Sequence, residues 1–319
     1  MLRLSVPVLS AIVISRDDGE RILGPVRAVT QQECPAGFEV IVVTSGAGRA
    51  GELVRREFPG VKLVELSRGA LPGEARNAGL RVALGAYVSF PGSHVELPQG
   101  SLAARMGAHL LGYPMVTGSV LNGTRTWAGW ASYFLDHATA LPGRPSGELS
   151  GPPMRCSYAR ELLIQMGGFR EDLRVGEDTV ANRRLTRDGH VAYRAQDVEF
   201  THDSPCRSTL TLLRHHFTRG RGFGRILLED RRNKVASRRL LTRSLAGYLP
   251  RRLWSTTASV GRWGRGLRLT YARAFPLVVA GALAAWAGTW YEILRPATSE
   301  SGLPLVLSSA EMGASVGET

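Results

Sequence analysis

The stretch Gly167-Gly168-Phe169-Arg170-Glu171-Asp172-Leu173-Arg174-Val175-Gly176-Glu177-Asp178-Thr179-Val180-Ala181-Asn182-Arg183-Arg184-Leu185 decides how this chain is read. Its acidic pair, Glu177-Asp178, follows a glycine. It opens a segment with apolar residues at Val180 and Leu185 and arginines at 183, 184 and 187. Acids first and bases later is the order a helix dipole favours, so a helix is predicted to begin at the pair. A carboxylate in that first turn is held in place, which suits a general base and equally suits an ordinary cap. A Gly-His turn and the run Val198 to His202 follow.

Upstream, short apolar runs alternate with helical patterns. Strands are predicted at 8–15, 38–44, 61–66, 86–90 and 115–120, and helices at 22–32, 52–58, 74–84 and 98–113. This alternation implies an α/β fold with a mostly parallel sheet flanked by helices. Open sheets of that kind bind ligands beyond the carboxyl ends of their strands, which picks out the loops 15–20, 44–49, 67–76 and 91–96. His109 is expected on the surface of its helix. Trp127, Trp130, Tyr133 and Phe134 are expected to pack in a core rather than to stack on a ligand.

Taken together, Gly-Gly-Phe, the acidic pair ten residues on, Arg-Leu, Gly, Ala-Tyr and a His resemble the acceptor-side block of family-2 glycosyltransferases of the GT-A fold. The resemblance covers roughly residues 8 to 225 and includes Ala75-Arg76-Asn77-Ala78-Gly79. It implies a nucleotide-diphosphate sugar donor over the strand ends. Asp178 would then be the base that deprotonates the acceptor hydroxyl, with Glu177 beside it in the catalytic pair. Ser15, Asp17, Thr44, Arg76, Ser93, His94 and Arg219 become the candidate donor-binding residues. His202 is a candidate metal ligand near the diphosphate. Arg219 and Arg221 resemble a basic loop that closes over the product.

The chain departs from that family at two places: Thr44-Ser45-Gly46 stands where the second strand usually ends in Asp residues that read the nucleobase, and the acidic signature after the fourth strand is missing. After Phe90, where an Asp-x-Asp signature would bridge Mg2+ or Mn2+ to the diphosphate, it has Pro91-Gly92-Ser93-His94. Losing carboxylates removes the hard oxygen ligands those cations prefer. Three readings stay open: a divalent metal held by His94, Glu96 or His202; a diphosphate neutralised by arginines and backbone N–H groups; or a site without chemistry.

Composition bounds the rest. The 319 residues carry a net charge of +13, and their three cysteines are too scattered for a disulfide framework. Residues 1–205 are nearly balanced in charge, whereas 206–295 hold 18 basic and three acidic side chains. Such a segment seeks anionic surfaces. Residues 238–254 mix leucines with five arginines, as an interfacial helix does. Residues 275–291 carry no charge, and Ala280, Ala284 and Gly288 share one helical face. The N-terminal run reads as a first strand rather than a signal peptide.

The organisation expected is therefore a GT-A catalytic domain at 1–205, a basic, membrane-associated helical extension at 206–295 and a disordered tail at 296–319. The function expected is an inverting glycosyltransferase at the cytoplasmic face of a membrane. It would act on a sugar or lipid-linked acceptor and would not bind nucleic acid. The alternative is a degenerate GT-A protein that binds a glycan, lipid or protein partner without chemistry.

Overall fold

The computed structural model describes residues 8–93, 95–232, 245 and 247–295. His94, the first part of the 238–254 segment and the 296–319 tail lie outside the described residues. Contacts divide the described chain into two units. One runs up to Leu121 and resumes at Arg144–His202; the other comprises Asn122–Gly143 and the chain from Asp203 onward.

The first unit is built on a sheet ordered β3-β2-β1-β4-β8-β6-β9-β5, with β7 paired to β9. Its first half is parallel: β1 (Leu9–Arg16) lies between β2 (Phe38–Ser45) and β4 (Tyr87–Ser89), and β3 (Lys62–Leu66) borders β2. These strands are runs of Ile, Val and Leu because both faces of a parallel sheet are covered. Ile12, Ile41, Val43 and Val88 are buried in the same cluster as Ala75, Ala78 and Leu80 of helix α3 (Pro72–Val82). The remaining helices before α3 are α1 (Leu23–Thr30) and α2 (Ala50–Glu57).

The second half of the sheet turns antiparallel. β8 (Ser157–Ala159) runs against both β4 and β6 (Met115–Asn122), and β9 (Ala192–His202) runs against β5 (Val95–Glu96) and β7 (Gly147–Leu149). Strands of two or three residues carry no readable period, so β5, β7 and β8 leave no pattern in the sequence. Helices α4 (Ser101–Leu110), α6 (Arg160–Gln165) and α7 (Glu177–Arg187) complete this unit.

One expectation about α4 is overturned. His109 is buried rather than on the surface. Its Nδ1 lies 2.8 Å from the Tyr113 carbonyl and its Nε2 2.8 Å from Ser157 Oγ, and its ring stacks on Tyr87 at 4.3 Å. The helix stops at Leu110, so Tyr113 folds back within reach of the imidazole. Burial pulls the His109 pKa down to about 4.

The second unit is helical: α5 (Trp127–His137), α8 (Thr209–Arg232), α9 (Tyr248–Trp263) and α10 (Arg268–Leu294). Thr126 caps α5, its hydroxyl accepting the Gly129 amide at 3.0 Å. Of the four aromatics on α5, Tyr133 and Phe134 are buried and Trp127 is half exposed. Glycines let α8 and α10 pack closely. A Cβ at Gly220 would stand 1.9 Å from the Ala285 carbonyl oxygen, and one at Gly288 would stand 2.1 Å from that of Phe217. Thr289 Oγ1 donates to the Gly220 carbonyl across the same seam. Glu292, the lone acid in this apolar helix, is ion-paired with Arg221 at 2.9 Å and Arg225 at 2.6 Å.

The basic segment expected as a loop at 219–221 is therefore an uninterrupted helix. Its glycines serve helix approach rather than a turn.

Candidate active site

The site follows from the topology. β1, β2 and β3 run outward in one direction while β4 lies on the other side of β1. The point where strand order reverses is therefore at the carboxyl ends of β1 and β4. There Gly92 bridges Ile14 in parallel, which carries Pro91-Gly92-Ser93 alongside the end of β1. A small pocket opens at this point, lined among others by Ser89, Phe90, Gly92, Arg105, Arg155 and Cys156.

The candidate donor residues Ser15, Asp17, Thr44 and Ser93 all sit at these strand ends. Ser15 is buried and donates to Asp18 Oδ2 at 2.8 Å, and Thr44 is buried at the end of β2. Asp17 holds the left-handed conformation, φ 52°, with its carboxylate packed against Gly46 so closely that a Cβ there would meet Oδ1 at 2.1 Å. Strain of this kind persists where the surroundings over-determine it, and it collects at functional loops. Arg16 lies beside Asp17 at 3.9 Å and against Gly69 of the β3–α3 loop. His202 ends β9 opposite Val95, next to the segment that carries Ser93.

The acceptor-side block is fastened to the sheet by α3. Asn77 Nδ2 donates to the Phe169 carbonyl at 2.8 Å and to Glu171 at 2.9 Å, while Asn77 Oδ1 accepts the Phe169 amide at 2.8 Å. Gly168, at φ +81°, passes close to that side chain. Arg76 is buried with its Nε 3.2 Å from Glu177 Oε1, and its guanidinium lies over the rings of Phe90 and Phe169. Gly79 comes so close to Ile12 that a Cβ would stand 2.4 Å from Cγ2. Ala75-Arg76-Asn77-Ala78-Gly79 is thus a connector between sheet and acceptor block. Arg76 faces Glu177 there and lies over Phe90 at the end of β4.

Helix α7 begins at the acidic pair, preceded by Gly176 at φ 87°. Asp178 is buried in the first turn, and its Oδ1 accepts the Thr179 amide at 2.6 Å. One turn on, Asn182 accepts from the Tyr158 hydroxyl at 2.9 Å and donates to the Pro153 carbonyl at 3.0 Å. These bonds dock the Asp178 face of α7 on β8 and on the loop before it. Burial pushes the Cys156 thiol up, Arg105 opposes the shift and the charge of Asp178 adds to it.

Two cleft residues carried no signal in the sequence. Arg105 on α4 donates to the Val116 carbonyl at 3.1 Å. Arg155 holds a left-handed backbone, φ 53°, between the Pro152-Pro153 loop and β8, with its guanidinium over the Phe200 ring at 5.4 Å. No carboxylate is among the described residues that line the cleft. Family-2 enzymes often use a divalent metal. Pro91 and Gly92, which line the pocket where those ligands are expected, offer no carboxylate to Mg2+ or Mn2+. Arg219 belongs to the second unit, where its Nε lies 3.4 Å from Asp136 Oδ1.

The parallel half-sheet, the pocket at its switch point and the acidic start of α7 are the features that the sequence resemblance to GT-A glycosyltransferases implies. Residues 10–133 match the model of glycosyl transferase family 2. Among solved structures the chain is similar to the one titled "Crystal structure of S. aureus TarS 1-349". The identity is 15%, covering 89% of this chain and 91% of that one, with a TM-score of 0.47. No curated protein matches the chain.

Proposed function

We propose that this chain is a glycosyltransferase that inverts the sugar it transfers, with Asp178 as the general base. The observation that carries the reading is the placement of Asp178. It is buried in the first turn of a helix docked on β8, the strand that pairs with β4. The donor, a nucleotide-diphosphate sugar, rests over the ends of β1, β2 and β4 against Ser15, Asp17, Thr44 and Ser93. The acceptor hydroxyl approaches from the α7 side, and Asp178 takes its proton as the oxygen attacks the anomeric carbon. The diphosphate leaves as an anion, and Arg155 and Arg16 supply positive charge without metal chemistry. Glu177, paired with Arg76, positions its neighbour rather than reacting.

Membrane association belongs to the same reading. α10 lies within Arg265–Leu294, a stretch long and apolar enough to cross a bilayer by length and composition, and a third of its most apolar window is buried in the protein. Trp254, Leu269, Leu283 and Leu294 are exposed on α9 and α10 among arginines. An acceptor carried on a lipid, reached at the cytoplasmic face, fits such a surface.

Replacing Asp178 by Asn tests the base. Transfer is expected to fall by at least two orders of magnitude, about the contribution of general base catalysis, while nucleotide-sugar binding measured by calorimetry persists. Turnover at the unsubstituted rate removes Asp178 from the role. Absence of binding to any nucleotide sugar favours the second reading, a non-catalytic binding protein, which the carboxylate-free Pro91-Gly92-Ser93 loop supports.

A further inference from the structure

The second unit contains a cluster that the transfer chemistry does not use. Cys206 lies just before α8, and His215 and His216 lie near its start; one ligand atom from each falls within 4.8 Å of the others. All three residues are buried. Neighbouring positions on a helix diverge by about 100°, which argues from sequence against a shared ligand. Here the two imidazoles nevertheless converge, their rings 5.1 Å apart and nearly perpendicular.

Two nitrogens in this cluster are buried without a hydrogen-bond partner, His215 Nδ1 and His216 Nε2. A buried polar atom without a partner is destabilising, and finding two of them beside a thiol calls for an explanation. The other nitrogen of His215, Nε2, faces Asp136 Oδ2 at 3.6 Å. A carboxylate on the far side of an imidazole is how metal-binding histidines are oriented and made more basic.

We propose that Cys206 Sγ, His215 Nδ1 and His216 Nε2 bind a transition-metal cation of the zinc class, with Asp136 orienting His215. The donor set decides the class: one sulfur and two imidazole nitrogens suit Zn2+ or Co2+ and not the hard cations Mg2+ and Mn2+. Ligands of a tetrahedral zinc stand about 3.5 Å apart, so the side chains close in by roughly 1 Å. On binding, the Cys206 S–H proton leaves to solvent as the sulfur–metal bond forms. Arg219 is the nearby opposing charge, and Asp136 neutralises it at 3.4 Å. The cation would clamp the chain before α8 to α8 itself and, through Asp136, to α5. It is separate in chemistry from any cation expected beside a diphosphate, and its existence does not depend on the transfer reaction.

The test uses the full chain, stripped with a chelator and titrated with Co2+. Stoichiometric uptake with a sulfur-to-cobalt charge-transfer band is expected. The band is lost in Cys206→Ser, and affinity weakens by about 10- to 100-fold in Asp136→Asn. A wild-type protein that takes up Co2+ without the thiolate band, or takes up none, overturns the proposal. So does a band that survives in Cys206→Ser. The wild-type spectrum is informative even if a variant does not fold.

Discussion

At the scale of single residues, the site is held by buried polar side chains whose partners lie far away in sequence. Arg76 and Glu177 are the sharpest case, a buried pair between two helices. Removing one partner leaves the other charge unpaired in the interior, so Arg76→Ala is expected to cost about 3–5 kcal/mol in a denaturant titration. A loss below about 1 kcal/mol would mean that Glu177 is satisfied without Arg76.

His109 makes a second residue-scale prediction. Its folded pKa of about 4 lies below the ordinary histidine value, so the neutral ring is the form the fold accepts. Its contribution is fully present above about pH 6.5 and is lost as pH falls toward about 4, up to ~3 kcal/mol in all. Comparing denaturant stability of wild type and His109→Gln at about pH 7 and pH 4.5 checks the sign, because the variant loses less on acidification.

Both roles were hidden for the same reason. The sequence shows that Arg76 and His109 are charged or titratable residues on helices. Which of them turns inward depends on Glu177 and Ser157, brought near only by the tertiary fold. Asp178 was legible because a helix start is a local feature.

At the scale of elements, the parallel half of the sheet could be read directly, since each buried strand is an uninterrupted run of branched residues such as Val40 to Val43. The antiparallel half could not, because β5, β7 and β8 are too short to show a pattern. The glycines of α8 point the other way: Gly220 and Gly224 read as breakers, yet they lie inside one helix because α10 needs their bare backbone. Gly288→Ala is therefore expected to cost about 1–3 kcal/mol through its clash with the Phe217 carbonyl. Helix propensity alone predicts a gain of about 1 kcal/mol. Thermal melting separates the two by the sign of the shift.

At the scale of the whole molecule, charge and burial separate along the chain. Neighbouring arginines and exposed Trp254, Leu269, Leu283 and Leu294 belong to the second unit, and this asymmetry was visible in composition alone. The assignment of residues 122–143 to that unit was not, because nothing local distinguishes α5 from a helix of the sheet layer. The full chain is expected to sediment with vesicles rich in anionic lipid and to leave them only partly as salt rises, since apolar contact outlasts screened charge. Indifference to lipid charge would confine the arginines to a solubilising role.

The connector Ala75–Gly79 has a consequence for how a protein of this fold can diversify. Its side chains tie the acceptor block to the sheet, while Asp17, Ser93 and the residues around them sit on loops outside that bracing. Loops tolerate change that braced segments do not. Variation is thus expected to collect at that rim, whereas the connector and the helix it braces hold their place.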